Sequence, residues 1–275
     1  MFERFSNRAE AGRRLAERLA RYASTEDLLV LALPRGGVPV GFEVARALKA
    51  PLDVFIVRKL GVPGHEELAM GAIASGGDVI LNEEIVTALD ISGEAIERVR
   101  AAESAEVGRR ERLYHGNVPN AELGGRTVIL VDDGLATGAT MKAAVTAVRR
   151  SRPRAVVVAV PVCAHPTCTA LRGVADDVVC VETPEPFHAV GIWYRDFTQT
   201  TDDEVRQLLV VSRPPPSGAP SASKARSHER RGRLGRTAHA LFEQPADHAR
   251  KVANPCRLRH DCIDATFRSE RRTAP

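Results

Sequence analysis

Two carboxylates, Asp132 and Asp133, stand side by side after the aliphatic run Val128-Ile129-Leu130-Val131. The small-residue stretch Gly134-Leu135-Ala136-Thr137-Gly138-Ala139-Thr140 follows them. Paired acids can accept hydrogen bonds from neighbouring hydroxyls or help hold a divalent cation. Gly134 and Gly138 permit a tight turn and a close approach of backbone to ligand. Thr137 and Thr140 add hydroxyls. A helix from about Ala139 to Arg150 would point its N-terminus at this loop. Free N–H groups and the helix dipole suit that end to a phosphate. Acids beside a phosphate cradle make sense for a ligand that carries phosphate, hydroxyls and a divalent cation together. The alternative is a glycine-containing turn between a strand and a helix with two surface acids.

Alternating short elements must position these groups. Residues 7–22 place Ala11, Leu15, Leu19 and Tyr22 at helical spacing, which predicts an amphipathic helix. The apolar run 28–33 predicts a central strand ending in Pro34-Arg35-Gly36-Gly37, followed by a helix over 38–48. A second strand is expected over 52–57, ending in Arg58-Lys59. Residues 60–69, with two glycines and a proline, read as a mobile loop. Segments 70–74 and 79–81 flank Ser75-Gly76-Gly77-Asp78 and read as a short hairpin. Helices are expected over 83–89 and 94–113, the second a charged helix covering one edge. The run 128–131 is continuously aliphatic, as in a strand buried on both faces. A strand over 155–160, a helix over 166–172 and a strand over 178–181 follow. Residues 182–199 read as irregular, and a helix over 202–211 is capped by Thr201. Such alternation predicts an α/β fold with a mostly parallel central sheet flanked by helices. Ligands in these sheets sit at the carboxyl ends of the strands, where both glycine-bearing loops fall.

The stretch 128–140 resembles the signature of the type I phosphoribosyltransferases. The resemblance implies that fold, with a small hood, over residues 1–211. It implies that Asp132 and Asp133 contact the ribose hydroxyls of phosphoribosyl pyrophosphate, and that Gly134, Ala136, Thr137, Gly138, Ala139 and Thr140 hold its 5′-phosphate. Leu33-Pro34-Arg35-Gly36-Gly37 stands where the family binds pyrophosphate, often through an unusual cis peptide. Arg35 would offer a guanidinium fork, and Gly36 and Gly37 their N–H groups. Arg58 and Lys59 would flank the same pyrophosphate, under a hood formed by 60–69. Asp132, Asp133, Arg35 and Lys59 are the expected catalytic set. Residues 184–197 look loosely like the base-binding segment of the hypoxanthine–guanine enzymes. There Phe187 and Trp193 would contact the base and Asp196 would join Asp132 and Asp133 near Mg²⁺, although the spacing differs by about two residues from the family pattern; the alternative for the aromatics is simple packing of the last helix. The implied activity is transfer of phosphoribosyl to a nitrogenous base, purine-like in preference, with release of pyrophosphate. A non-catalytic sensor of the same sugar phosphate stands beside it. The expected partners are phosphoribosyl pyrophosphate and a base-like small molecule, with a homodimer left open.

Charge divides the chain. Residues 1–211 hold 25 Lys/Arg and 29 Asp/Glu, whereas 212–275 hold 14 and 6. The basic balance therefore belongs to the tail, which opens with the linker-like Pro214-Pro215-Pro216 and is expected to be disordered. That tail lacks aromatic interleaving, so nucleic acid is not the expected partner. A charged start, no apolar run of about 18 residues and five irregularly spaced cysteines lead to the expectation of a cytoplasmic chain without a membrane span. His65-Glu66-Glu67 lacks the second histidine of a metalloprotease helix, and Cys163-x-His165-x-x-Cys168 lacks zinc-site spacing.

Overall fold

The computed structural model describes residues 3–116 and 118–212. These belong to the first of two compact units, 1–220; the second, 221–275, lies outside the described residues. The expectation of a disordered tail over 212–275 also lies outside them except at Ser212, which ends a helix.

The central sheet has five parallel strands in the order β2-β1-β6-β7-β8. They are β1 (Leu28–Ala32), β2 (Leu52–Val54), β6 (Thr127–Val131), β7 (Ala155–Val162) and β8 (Asp177–Glu182). Every residue of β1 and β6 is buried, because helices cover both faces. Alternate side chains divide between two cores. Val30, Ala32, Ile129 and Val131 face α1 (Arg8–Arg18) and α2 (Gly37–Leu48). Leu29, Leu31, Val128 and Leu130 face α5 (Ala139–Arg150) and α6 (His165–Leu171). The β1–β6 register, Ala32 against Val131, brings their carboxyl ends together at the sheet centre. The chain then continues as the two glycine-bearing loops. A closing helix, α7 (Asp202–Ser212), begins as expected at Thr201, whose Oγ1 accepts the Glu204 N–H at 3.2 Å.

A separate antiparallel sheet, β3 (Val57–Val62), β4 (His65–Ala74) and β5 (Val79–Leu81), forms the hood. Two expectations are corrected here. The single strand over 52–57 is divided: Val54 still pairs with Ala32, but Phe55 and Ile56 carry the chain across to the hood. The Ile56 N–H donates to Ser75 Oγ at 2.9 Å, so the crossing is fixed by the hood's own turn. Arg58 and Lys59 therefore lie within β3. Residues 60–69 are also not a loop. Leu60 and Val62 are buried at alternate positions, and Pro63-Gly64 alone make the turn. Register shifts around Gly61 accommodate a close crossing: a Cβ there would lie 2.9 Å from the Glu66 backbone. Two helices complete the edge: α3 (Glu83–Ala88) and the 23-residue α4 (Gly93–His115). The latter is largely half-buried or exposed, with Val107, Tyr114 and His115 buried. No helix among the described residues is long and apolar enough to cross a membrane.

Candidate active site

Strand β6 delivers Asp132 and Asp133 to the carboxyl edge of the sheet, beside the turn that follows β1. The Leu33 N–H donates to Val131 O at 2.8 Å, which seats that turn on the end of β6. The contact is close enough to require glycine twice. A Cβ on Gly36 would lie 2.0 Å from Asp133 Oδ2, and one on Gly37 would lie 2.7 Å from Val131 O. The Pro34–Arg35 peptide is cis. Arg35 lies at the rim, its Nη1 4.0 Å from Asp202 Oδ1.

The loop after the acids is open where a ligand would approach. Ala136, Thr137 and Ala139 are exposed, while Leu135 is buried as an anchor. Gly138 occupies the N-cap of α5 with φ of +70°, and no side chain among the described residues caps that helix. Its N–H groups are directed to the loop, as an anion site requires. Gly138 also lies tight against α6: a Cβ would meet Thr167 Cγ2 at 2.5 Å. Thr167 Oγ1 in turn donates to Ala136 O.

The acid pair has two partners that local sequence pattern does not mark. Arg8 Nε donates to Asp133 Oδ2 at 2.8 Å, its Nη1 donates to Thr198 O, and its guanidinium stacks 4.0 Å from the Phe197 ring centroid. At the start of an amphipathic helix it reads as one more surface arginine. Tyr194 also escaped notice; its hydroxyl donates to Asp133 O at 2.5 Å. Burial pushes the Asp132 carboxyl well above the usual carboxylate range, and the neighbouring Asp133 charge adds to this. Burial also raises Asp133, opposed by Arg8. Asp132 Oδ1 accepts the Asp133 N–H at 2.9 Å. Asp132 Oδ2 and Asp133 Oδ1 are not taken by any described hydrogen bond.

Removing Arg8 tests this electrostatic frame. Arg8→Ala should destabilise the domain by about 1.5–3 kcal/mol, as loss of a charged hydrogen bond does. The sign of its pH dependence follows from the cause. Without the cation Asp133 is raised further, so its ionisation costs more; the loss is largest above the carboxylate range and shrinks as acid neutralises Asp133. Thermal unfolding of both chains at acid and neutral pH measures it.

Across from the loop, a cavity of about 640 Å³ lies between the hood and α4. Lys59, Arg58 and Thr140 line it together with Glu66 and Glu67. It thus joins Lys59 of the hood to Thr140 of the loop after the acids, whereas Asp132, Asp133 and Arg35 lie outside its walls. Arg58 is held by α4, its Nε 2.7 Å from Glu103 Oε2. Phe187 and Trp193 are half-buried and pack against the core. Asp196 is exposed, and its Oδ1 accepts the Thr198 N–H at 2.9 Å and the Thr198 hydroxyl at 2.6 Å. That engagement closes a local turn. The structure gives no contact between Asp196 and the acid pair.

A parallel sheet, a three-stranded hood and an acid pair before a helix-capping loop define the type I phosphoribosyltransferase architecture. The chain matches the Phosphoribosyl transferase domain family over residues 1–193, and it belongs to that family. Two Mycobacterium tuberculosis proteins, MT0597 and Rv0571c, are provisionally named phosphoribosyl transferases. Each is 48% identical over 205 residues, covering 74% of this chain and 46% of its own length. The chain thus spans about half the length of the curated relatives it matches. The crystal structure of TT1426 from Thermus thermophilus is similar with a TM-score of 0.69 and 42% identity, covering 77% of this chain and 100% of that one.

Proposed function

We infer that the chain is a phosphoribosyltransferase. It uses Mg–phosphoribosyl pyrophosphate and moves the phosphoribosyl group to a nitrogenous base, purine-like in preference, with release of pyrophosphate. One observation carries this reading: Gly36 and Gly37 are seated against Asp133 and Asp132, so an anion-binding turn and a pair of hydroxyl acceptors share one site.

In this reading Asp132 Oδ2 and Asp133 Oδ1 accept from the two ribose hydroxyls. The N–H groups of Ala136 to Thr140 and the hydroxyls of Thr137 and Thr140 hold the 5′-phosphate. Arg35, Gly36 and Gly37 bind the pyrophosphate, and Lys59 and Arg58 reach it from the hood. The bond from the anomeric carbon to pyrophosphate breaks with its electrons leaving on oxygen, and a bond to the base nitrogen forms. Positive charge develops on the sugar ring and negative charge on the leaving group, so fixed cations and N–H groups lower the barrier by acting where charge grows. The hood excludes water, which would otherwise capture the sugar. Phe187 and Trp193 provide the aromatic surface proposed for the base.

The acid pair fits a divalent cation by its chemistry. Two half-buried, adjacent carboxylates stand above their ordinary range because desolvation raises both, and the Asp133 charge adds to the rise of Asp132, against the pull of Arg8. Mg²⁺ bound beside Asp132 and Asp133 would neutralise charge on the leaving pyrophosphate. Asp196, engaged with Thr198, would serve only as an outer acid.

The test is pyrophosphate release by the full chain given Mg–phosphoribosyl pyrophosphate and each of a panel of bases. Release with one base supports the reading and names the acceptor. Binding without release from any base replaces the enzyme with a sensor of the sugar phosphate.

A further inference from the structure

Three cysteines from successive segments of the chain meet at the edge of the central sheet. Cys163 follows β7, Cys168 lies on α6, and Cys180 lies on the edge strand β8. Their sulfurs all fall within 4.8 Å of one another, and those of Cys168 and Cys180 are 2.7 Å apart. Cys163 and Cys168 are buried, while Cys180 is half-buried and gives the cluster a side toward solvent. A single buried cysteine is ordinary core packing. Three converging sulfurs from three elements are a ligand set. A disulfide would use two of them and leave the third without a role.

We propose that Cys163, Cys168 and Cys180 bind one thiophilic metal ion of the Zn²⁺ class through three thiolates, fastening α6 to β8. Zinc–sulfur bonds of about 2.3 Å place tetrahedral ligand sulfurs roughly 3.8 Å apart, inside the span the three already occupy. The Cys168–Cys180 pair opens by about 1 Å to admit the ion, within reach of side-chain rotation. Three thiols each lose a proton to solvent as three metal–sulfur bonds form, leaving a complex of charge −1. The guanidinium of Arg172, within electrostatic reach of Cys168, offsets that charge. His165 is not part of the cluster, so the fourth position stays open to water or an external ligand. The half-buried edge at Cys180 is the entry path.

This site stands apart from the phosphoribosyl site, yet it underlies it. The Leu135 N–H donates to Val162 O at 2.9 Å, and the Ala164 N–H donates to Leu135 O at 3.0 Å, so both neighbours of Cys163 are bonded to the phosphate loop. Thr167, next to Cys168, supports Ala136. An ion that fastens α6 therefore fixes the floor on which the loop lies.

The test uses the full chain carrying Cys256→Ser and Cys262→Ser, so that the only thiols are these three. Reduced and stripped of metal, it is titrated with Cd²⁺ as probe. The expected result is one ion per chain, a thiolate-to-cadmium charge-transfer band, and protection of all three thiols from a thiol reagent. Replacing any one of the three by serine should weaken Cd²⁺ binding more than about 100-fold, since changing outer partners alone costs 10–100-fold. Because such a variant can fail to fold, the unsubstituted cluster is also melted with Zn²⁺ and with a chelator; the ion should raise the midpoint and the chelator reverse it. No uptake, uptake indifferent to the serine substitutions, or an unchanged midpoint would overturn the proposal. So would a Cys168–Cys180 disulfide found by non-reducing peptide mapping of metal-free protein that takes up no ion.

Discussion

Asp132→Asn together with Asp133→Asn should weaken binding of Mg–phosphoribosyl pyrophosphate by at least 100-fold in a domain that stays folded. Each substitution removes a charged acceptor, and hydrogen bonds to charged groups contribute about 1.5–3 kcal/mol apiece. Two of them exceed the roughly 2.8 kcal/mol that a hundredfold represents. Folding should survive because an asparagine at 132 can still accept the Asp133 N–H through Oδ1. Relief of two carboxyls raised by desolvation is opposed by loss of the charged Arg8–Asp133 hydrogen bond, so stability at neutral pH should change little. The pH sign is set by the raised carboxyls. A folded state that holds its Asp132 proton more tightly than the unfolded chain is favoured in acid and loses that advantage as pH rises through the raised folded value. Asparagine has no such loss, so the melting temperature of the double variant relative to the unsubstituted chain should be higher at neutral than at acid pH. Undiminished affinity in the double variant would remove both acids from the site.

Gly37→Ala should damage both fold and site. The added Cβ would meet Val131 O at 2.7 Å and Asp132 Cα at 2.9 Å. Both are backbone atoms at the end of a buried central strand, which cannot rotate away as a flexible side chain would. Overpacking of this kind costs about 1–3 kcal/mol, and for a domain of this size each kcal/mol lowers the melting midpoint by roughly 2–4 °C. Relief comes only by prying the β1 turn from the β6 end, which separates the turn proposed for pyrophosphate from the acids. Affinity for inorganic pyrophosphate should therefore fall by at least tenfold, about 1.4 kcal/mol. Gly93→Ala is the matched control. Nothing lies within 4 Å of its Cβ, and it opens α4, so the change should be neutral or slightly stabilising. Equal effects at both positions would show that the loop contact carries no special constraint.

Local pattern and tertiary placement were not equally readable in the sequence. The run Val128 to Val131 could be read as a buried parallel strand because both faces of β6 are covered, and no polar residue interrupts it. Helix α5 runs over Ala139–Arg150, as expected from its place after the strand and the small-residue loop. The division at Phe55 could not be read, since an apolar run continues smoothly from one sheet into the other and only the Ser75 contact marks the crossing. In the hood hairpin, Pro63-Gly64 dominated the local signal, while the burial of Leu60 and Val62 depends on elements distant in sequence. Arg8 and Cys180 were hidden for a similar reason. Arg8 meets Asp133 across 125 positions, and Cys180 joins its partners from another strand, so no local spacing marks either.

The most direct test of the central claim is calorimetric titration of the full chain with Mg–phosphoribosyl pyrophosphate, compared with ribose 5-phosphate and with pyrophosphate alone. If the β1 turn and the β6 loop form one site, the intact ligand engages both at once. It should then bind more tightly than either fragment, by at least tenfold, about 1.4 kcal/mol. Absence of binding, or an affinity no better than that of one fragment, would contradict a shared site.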